Sequence, residues 1–248
     1  MPTDLPLLQQ LQTSKEYLVR KFKAEKFLAY FQAYSNTYAA TEDLRMLYEA
    51  ALADKDMVGL IIGTRPDCLP GAVLDLLAEL NRQTYLWLEL GMQTMHDQTL
   101  QAINRSHSHA CLVEAVARCR ERGLRVCLHL ILGLPGETRD EMMLSVREVN
   151  RLGVDGVKLH HLHVLHGSRL EEDYRQGSLQ LLERDEYVQL VCDAIELLDP
   201  RILIHRLMGD GRSELVAPDW SRRKLEVLNR IDAELIKRDS RQGSRLSG

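Results

Sequence analysis

Glu89, Gln93 and Arg105 are residues that could between them grip a small polar ligand. An arginine presents a planar fork of donors that can bind both oxygens of a carboxylate, and its charge does not titrate near neutrality. A Glu and a Gln four positions apart on an extended strand project to the same side and offer hydrogen bonds to hydroxyl or amino groups. The plainer alternative makes both strand-end polar residues, solvated at a sheet rim. Farther on, Gly133 and Gly136 bracket Pro135, a turn in which a backbone without side chains can approach a flat ring closely. His160, His161, His163 and His166 follow. On a strand His161 and His163 share a face, so they could ligate a metal, line a substrate cavity or sit hydrogen-bonded in the interior. No carboxylate or cysteine lies at ligand spacing beside them, so no metal ligand is assigned. His205 and Arg206 could reach the same cavity or serve as ordinary strand-end residues. The cysteines Cys68, Cys111, Cys119, Cys127 and Cys192 are widely spaced. They form neither a disulfide framework nor a C-x-x-C pair and read as core residues.

These side chains have to be carried by a scaffold. The chain has 248 residues, 45% of them apolar and 27% charged, with a formal net charge of −4. That balance buries a sizeable core and excludes disorder and collagen-like repeats. No apolar run approaches the roughly twenty residues of a membrane helix, and no secretory signal is readable from Met1 to Gln10, so the expected location is cytoplasmic. Apolar runs at Lys26–Phe31, Met57–Ile62, Tyr85–Leu90, Arg125–Leu132, Gly156–Leu165 and Arg201–Leu207 read as buried parallel strands. Amphipathic helical patterns fill the gaps, including Pro6–Lys23, Glu137–Arg151 and Asp185–Leu198. The class is α/β, either a doubly wound sheet or a barrel-like sheet. Polar residues gather after the strands, at Gln32–Thr37, Thr64–Asp67, Glu89–Gln93, Gly133–Thr138 and His166–Arg169, which favours one site at that end. Neither G-x-G-x-x-G, a P-loop, H-E-x-x-H nor G-x-S-x-G occurs.

Tyr85-Leu-Trp-Leu-Glu-Leu-Gly-Met-Gln-Thr94, followed after a helical stretch by Arg105-Ser-His107, resembles the E-x-G-x-Q-[ST] strand and R-x-H segment of radical-SAM enzymes. Leu130-Ile-Leu-Gly-Leu-Pro-Gly-Glu-Thr138 is similar to the strand and turn that lie beside the adenine in that superfamily. Leu165-His-Gly-Ser-Arg-Leu170 is similar to its P-G-T-x-L turn. Tyr30–Thr37 and the W-S-x-x-K segment Trp220–Lys224 further resemble the YhcC/YtqA-like group, related to the catalytic subunit of Elongator. The resemblance implies a partial (β/α)6 barrel that binds S-adenosylmethionine. In it Arg105 would take the carboxylate, Glu89 and Gln93 the ribose hydroxyls or amino group, and Gly133 and Pro135 the adenine. Gln32 and Ser35 occupy the place of an amino-group-binding turn that is Gly-rich in many relatives and is not so here.

The family holds a [4Fe–4S] cluster with C-x-x-x-C-x-x-C, which passes an electron to the sulfonium and releases a 5′-deoxyadenosyl radical. This sequence has no such motif, and it opens on a helix where a complete barrel has its first strand and cluster loop. The expectation is that the numbering starts inside a longer protein. A cluster-less S-adenosylmethionine or nucleotide-binding module with a regulatory or RNA-binding role is the alternative, and a His-ligated metal-dependent barrel hydrolase ranks last. The expected organisation is a barrel core over 1–218 and a C-terminal helix with a mildly basic, frayed tail over 219–248. Contact of that tail with RNA is an expectation drawn from the Elongator-like resemblance.

Overall fold

The structure, a computed structural model, describes residues 6–210 and 214–246. Met1–Leu5 and the last two residues of the expected tail, which figured in the sequence reading, lie outside them. In chain order the elements are α1 (Leu7–Phe22), β1 (Phe27–Phe31), α2 (Thr41–Leu52), β2 (Met57–Thr64), α3 (Gly71–Gln83), β3 (Tyr85–Gln93), α4 (Asp97–Ala102), α5 (His109–Glu121), β4 (Arg125–Leu132), α6 (Arg139–Leu152), β5 (Gly156–His161), β6 (Val164–Leu165), α7 (Arg169–Arg175), α8 (Arg184–Leu197), β7 (Leu203–Arg206), β8 (Leu215–Ala217) and α9 (Lys224–Lys237). Six strands form a sheet in the order β1-β2-β3-β4-β5-β7, and β6 pairs with β8. The chain divides into two compact units, Met1–Gly91 with Glu114–Val126, and Met92–Val113 with Cys127–Gly248.

In the first unit β1, β2 and β3 pair in parallel, and the fully buried Leu60, Ile62, Leu86, Leu88, Leu74 and Leu77 form its core with Tyr48. The near-continuous apolar strands follow from burial of parallel strands on both faces. Gly59 is required by close approach: a Cβ there would lie 2.0 Å from the Tyr85 carbonyl oxygen. Helix α1 buries no residue. It is tied down by Lys15, whose Nζ donates to carboxylate oxygens of Asp54 and Asp56 at 2.7 Å each.

In the second unit β4, β5 and β7 pair in parallel. The apolar run Gly156–Leu165, read above as one strand, is divided. After His161 the Leu162 N–H donates to the Leu132 carbonyl, the chain leaves the sheet, and Val164–Leu165 pairs antiparallel with β8. Leu162 and Val164 enter a separate cluster with Leu134, Leu179 and Ala217, so one apolar run serves two cores. That pairing also carries Trp220 and Ser221, just beyond β8, to the carboxyl end of β5. Helix α6 begins at Arg139, two residues later than the sequence pattern implied, because Thr138 and Glu141 form a reciprocal capping box. The C-terminal tail is anchored, not frayed, as far as Leu246. Gln242 donates to the Asp199 and Ile202 carbonyls at 2.8 Å, the Gly243 N–H to the Ile195 carbonyl, and Arg245 to Glu196 at 3.1 Å. No helix of the described residues is long and apolar enough to cross a membrane.

Candidate functional site

In the first unit β3 carries Glu89, a carboxylate only 1% exposed, and β2 places Gly63 in register beside it. With no side chain at Gly63, the Tyr30 hydroxyl of β1 crosses to donate to Glu89 Oε2 at 2.7 Å. A buried carboxylate needs such donors. The turn after β1 is organised by Asn36, whose amide donates to the Phe31, Ala33 and Gly63 carbonyls at 3.1, 3.0 and 2.9 Å. The Asn36 carbonyl in turn accepts from the Tyr48 hydroxyl at 2.5 Å. Gln32 is exposed and Ser35 half-buried on this turn. The residue that builds it, Asn36, was not singled out from the sequence, although it stands in the quoted Tyr30–Thr37 segment.

In the second unit Gln93 has φ of 66°. It has left the extended conformation, so the even spacing that set it on the side of Glu89 no longer fixes its direction. The loop beyond is held by Ser145, which accepts from the Met95 N–H at 3.1 Å, and by His96, whose Nε2 lies 3.0 Å from the Glu141 carbonyl. Arg105 is half-buried after α4. Its N–H closes back on the Leu100 carbonyl at 2.8 Å, and its Nη2 lies 3.5 Å from His107 Nε2. The turn after β4 has φ of 81° at Gly133 and 82° at Gly136, conformations that favour glycine. The two are not equally open. A Cβ on Gly133 would meet Leu182 Cδ1 at 2.7 Å, whereas one on Gly136 would meet nothing within 4 Å. Close approach of a ligand is therefore available at Gly136 and blocked by Leu182 at Gly133. A cavity of about 390 Å³ opens here between Gly133–Glu137, Pro135 included, and Gly177–Leu182. Glu137, on its lining, has its carboxyl pushed up by burial, opposed by hydrogen bonds to Thr94 and Thr99.

The histidines separate into three environments. His161, 4% exposed, stacks on Trp220 with ring centroids 4.3 Å apart and lies 4.9 Å from the Tyr187 ring. Its Nε2 hydrogen-bonds the Ser221 hydroxyl and stands 2.8 Å from His163 Nε2. Its Nδ1 is buried with no hydrogen-bond partner. Burial first, and then the neighbouring His163 and His160, pushes the His161 pKa down to about 3. His160 instead stacks on His129 at 5.6 Å, and His166 lies 3.3 Å from Glu171 Oε1. Among the described residues no three of the His160–His166 histidines form a metal-binding group, so the His-ligated hydrolase reading loses its ligand set. Trp220 and Ser221 were quoted from the sequence as part of a signature, but nothing in a linear spacing shows that they close on His161. His205 is bypassed at a bulge, where Lys158 of β5 comes into register with Arg206.

Several basic residues of the tail are engaged within the chain. Lys224 pairs with Asp210, Arg222 donates to the Leu215 carbonyl, Arg230 pairs with Asp185, and Arg238 with Asp193 and Glu196.

Thiols in this chain do not fit an iron–sulfur cluster. Cluster ligation needs thiolates brought together. Cys68, Cys119, Cys127 and Cys192 are buried free thiols and Cys111 a half-buried one, and burial pushes the Cys119 thiol up to about 12 and that of Cys192 to about 11.

Comparison with known proteins bears on the same segments. Residues 13–149 match the Radical SAM superfamily and residues 154–237 the Radical_SAM C-terminal domain. The chain is 49% identical over 238 residues to "Uncharacterized protein YtqA" of Bacillus subtilis, covering 96% of this chain and 74% of that protein. It is 43% identical over 215 residues to "Protein YhcC" of Escherichia coli, covering 86% and 70%. Among solved structures, Elp3 of the archaeon Methanocaldococcus infernus superposes with a TM-score of 0.80 at 19% identity, covering 95% of this chain and 60% of that one. The fold is that of a partial radical-SAM barrel.

Proposed function

We infer the function from one premise: this chain belongs to the radical-SAM superfamily, in the YhcC/YtqA-like, Elongator-related group. The reading we propose is binding of S-adenosylmethionine at the carboxyl ends of the strands. The observation that carries it is that the family match over residues 13–149 spans every candidate cofactor residue from Gln32 to Pro135. Arg105 takes the ligand carboxylate with its fork. Glu89, fixed by Tyr30, accepts from a ribose hydroxyl or the amino group, and Gln93 supplies a donor and an acceptor from the strand's end. The turn Gly133–Glu137 borders the adenine, with Gly136 and Pro135 offering backbone and the cavity beside them the room. Such a site binds through a few fixed polar groups in a largely shielded pocket.

In family members that hold a [4Fe–4S] cluster, that group would supply one electron to the sulfonium of S-adenosylmethionine. The cysteines within these 248 residues do not supply such a cluster, so their part in this reading is to bind and orient. RNA as the substrate is implied by the Elongator relationship alone; in the C-terminal tail Lys224, Arg230 and Arg238 are paired with acids of this chain.

Isothermal titration tests the reading. S-adenosylmethionine should bind the 248-residue chain with one-site heat, and Arg105→Ala should weaken it roughly tenfold to hundredfold, the worth of a lost charge-assisted pair. Anaerobic reconstitution should load no four-iron cluster. Absence of heat from a folded chain, or an Arg105→Ala variant that binds unchanged, ends it.

A further inference from the structure

The stretch between α7 and α8 forms one wall of the cavity beside the Gly133–Glu137 turn, and it is fastened at both ends. At its start the Ser178 and Leu179 N–H groups donate to the Asp173 carbonyl at 3.0 and 3.2 Å. Leu179 is buried in the cluster of Leu134, Leu162, Val164 and Ala217, and Leu181 packs against the same cluster. At its end the Trp220 indole N–H donates to the Leu182 carbonyl at 3.1 Å. Trp220 is held in turn by His161, on which it stacks, and by the Tyr187 ring at 5.2 Å, whose hydroxyl donates to the Leu207 carbonyl at 2.6 Å. A wall with apolar anchors and a bonded carbonyl is in place before a ligand arrives, as selection by shape requires.

Leu182 is the side chain that this fastening aims. A Cβ built on Gly133 would lie 2.7 Å from Leu182 Cδ1 and 2.8 Å from its Cγ, so the isobutyl group rests on the α-carbon of that glycine. Leu179–Leu182 also walls a second cavity, of about 690 Å³, on the side of Tyr174, Glu183, Asp219 and Trp220. Of the residues in this wall, Leu182 is the one that closes on the glycine turn.

We propose that Leu182 is a specificity-determining residue of the base cavity, closing its Gly133 end so that adenine is accepted and a base enlarged toward Gly133 is refused, with Trp220 as its positioning residue. The proposal rests on the reading that the Gly133–Glu137 turn borders the adenine of S-adenosylmethionine, and deepens it by naming what sets the size of the base. Leu182 cannot withdraw without breaking the bond from Trp220 or lifting Leu179 and Leu181 from their cluster, and a packed interior resists such a shift. The leucine side chain has no hydrogen bond to offer, so it selects by volume. One added methyl group where an apolar wall leaves no room lowers affinity about tenfold or more.

Calorimetry on the folded 248-residue chain tests this with S-adenosylmethionine and three analogues carrying one methyl group on the base, at C2, N6 or C8. At least one analogue should bind about tenfold or more weakly than S-adenosylmethionine. Leu182→Ala, which removes the obstruction over Gly133, should recover about tenfold for that analogue relative to S-adenosylmethionine, and Leu182→Met, of similar volume, should keep the refusal. Trp220→Phe, which keeps a ring against His161 but lacks the N–H, should relax the refusal in the same direction. The readout is a ratio of two affinities, which a merely structural loss of packing, lowering both together, would not move. If Leu182→Ala folds poorly, ¹H–¹³C spectra of the leucine methyl groups in the original chain decide, since those of Leu182 should shift in the ring current of the bound base. Equal binding of all four ligands, ratios unmoved by Leu182→Ala, or Leu182 methyl signals that stay still under saturating S-adenosylmethionine overturn the assignment of Leu182, and a ratio unmoved in Trp220→Phe overturns that of Trp220. Absence of heat from S-adenosylmethionine itself is a different failure, that of the reading beneath, and takes both assignments with it.

Discussion

At the scale of single residues, the two adjacent histidines at the end of β5 are the most sharply defined chemistry in the molecule. The pKa values of His160 and His161 both fall from the ordinary 6.5 to about 3, burial being the largest cause. In the unfolded chain they take up protons near pH 6.5, and in the folded chain they do not until about pH 3. Between those limits the unfolded state binds more protons, so their contribution to stability is present above pH 6.5 and is lost as the pH falls. Each contributes a slope of about 1.4 kcal/mol per pH unit in that window. Urea midpoints measured from pH 7 to pH 4 should decline accordingly, and His161→Phe, which keeps a ring against Trp220, should flatten the decline by about half. An unchanged slope in that variant would refute the assignment. The types and order of these residues were legible in the sequence. Their partners were not, because Trp220 and Ser221 are brought in by the β6–β8 pairing and His129 by strand register, neither of which a linear spacing encodes. Gln93 shows the converse: strand alternation fixes side-chain direction only up to the residue where the backbone turns left-handed.

At the scale of elements, strand positions were readable because buried parallel strands are written as continuous apolar runs, and β4 begins and ends where its run does. The run Gly156–Leu165 misled because apolarity reports burial without saying in which core. Helix boundaries depend instead on local hydrogen bonds, and α6 gives a clean case. Thr138 accepts from the Glu141 N–H at 3.3 Å while its own N–H donates to Glu141 Oε2 at 2.8 Å. Thr138→Ala should cost about 1 kcal/mol in chemical denaturation, with Thr138→Ser restoring most of it. The β2–β3 pairing is less forgiving. Gly59→Ala would drive a methyl onto the Tyr85 carbonyl, 2.0 Å away, and backbone on both sides has no room to yield. That variant should accumulate as insoluble chain when expressed beside Gly71→Ala, where a Cβ meets nothing within 4 Å. Soluble Gly59→Ala at the level of Gly71→Ala would show that the strands can part there.

At the scale of the whole molecule, the net charge of −4 conceals a division of labour among the basic residues. Some stand at the surface, such as Arg201, whose side chain is 90% exposed beside an Asp199 side chain 18% exposed, and pairs with so solvated a cation contribute little. Arg238 is different. Its side chain is 19% exposed and meets Asp193 at 2.9 Å, Glu196 at 3.3 Å and Glu234 at 3.0 Å. The side chains of Asp193 and Glu196 are only 11% and 5% exposed. Arg245 reaches the same two acids from the C-terminal tail, so helix α8, helix α9 and the tail are joined through one ionic centre. Removing Arg238 takes one cation from a centre in which Asp193 keeps Arg139 and Arg245 and Glu196 keeps Arg245, and the two poorly solvated carboxylates then lose charge-assisted hydrogen bonds worth roughly 1.5–3 kcal/mol each. Arg238→Met, which keeps the packing of the stem but not the charge, should therefore lower the urea midpoint far more than Arg201→Met, whose effect should stay within about 0.5 kcal/mol. An Arg238→Met midpoint no lower than that of Arg201→Met would mean that the stem's contacts, and not the charge, hold the tail in place.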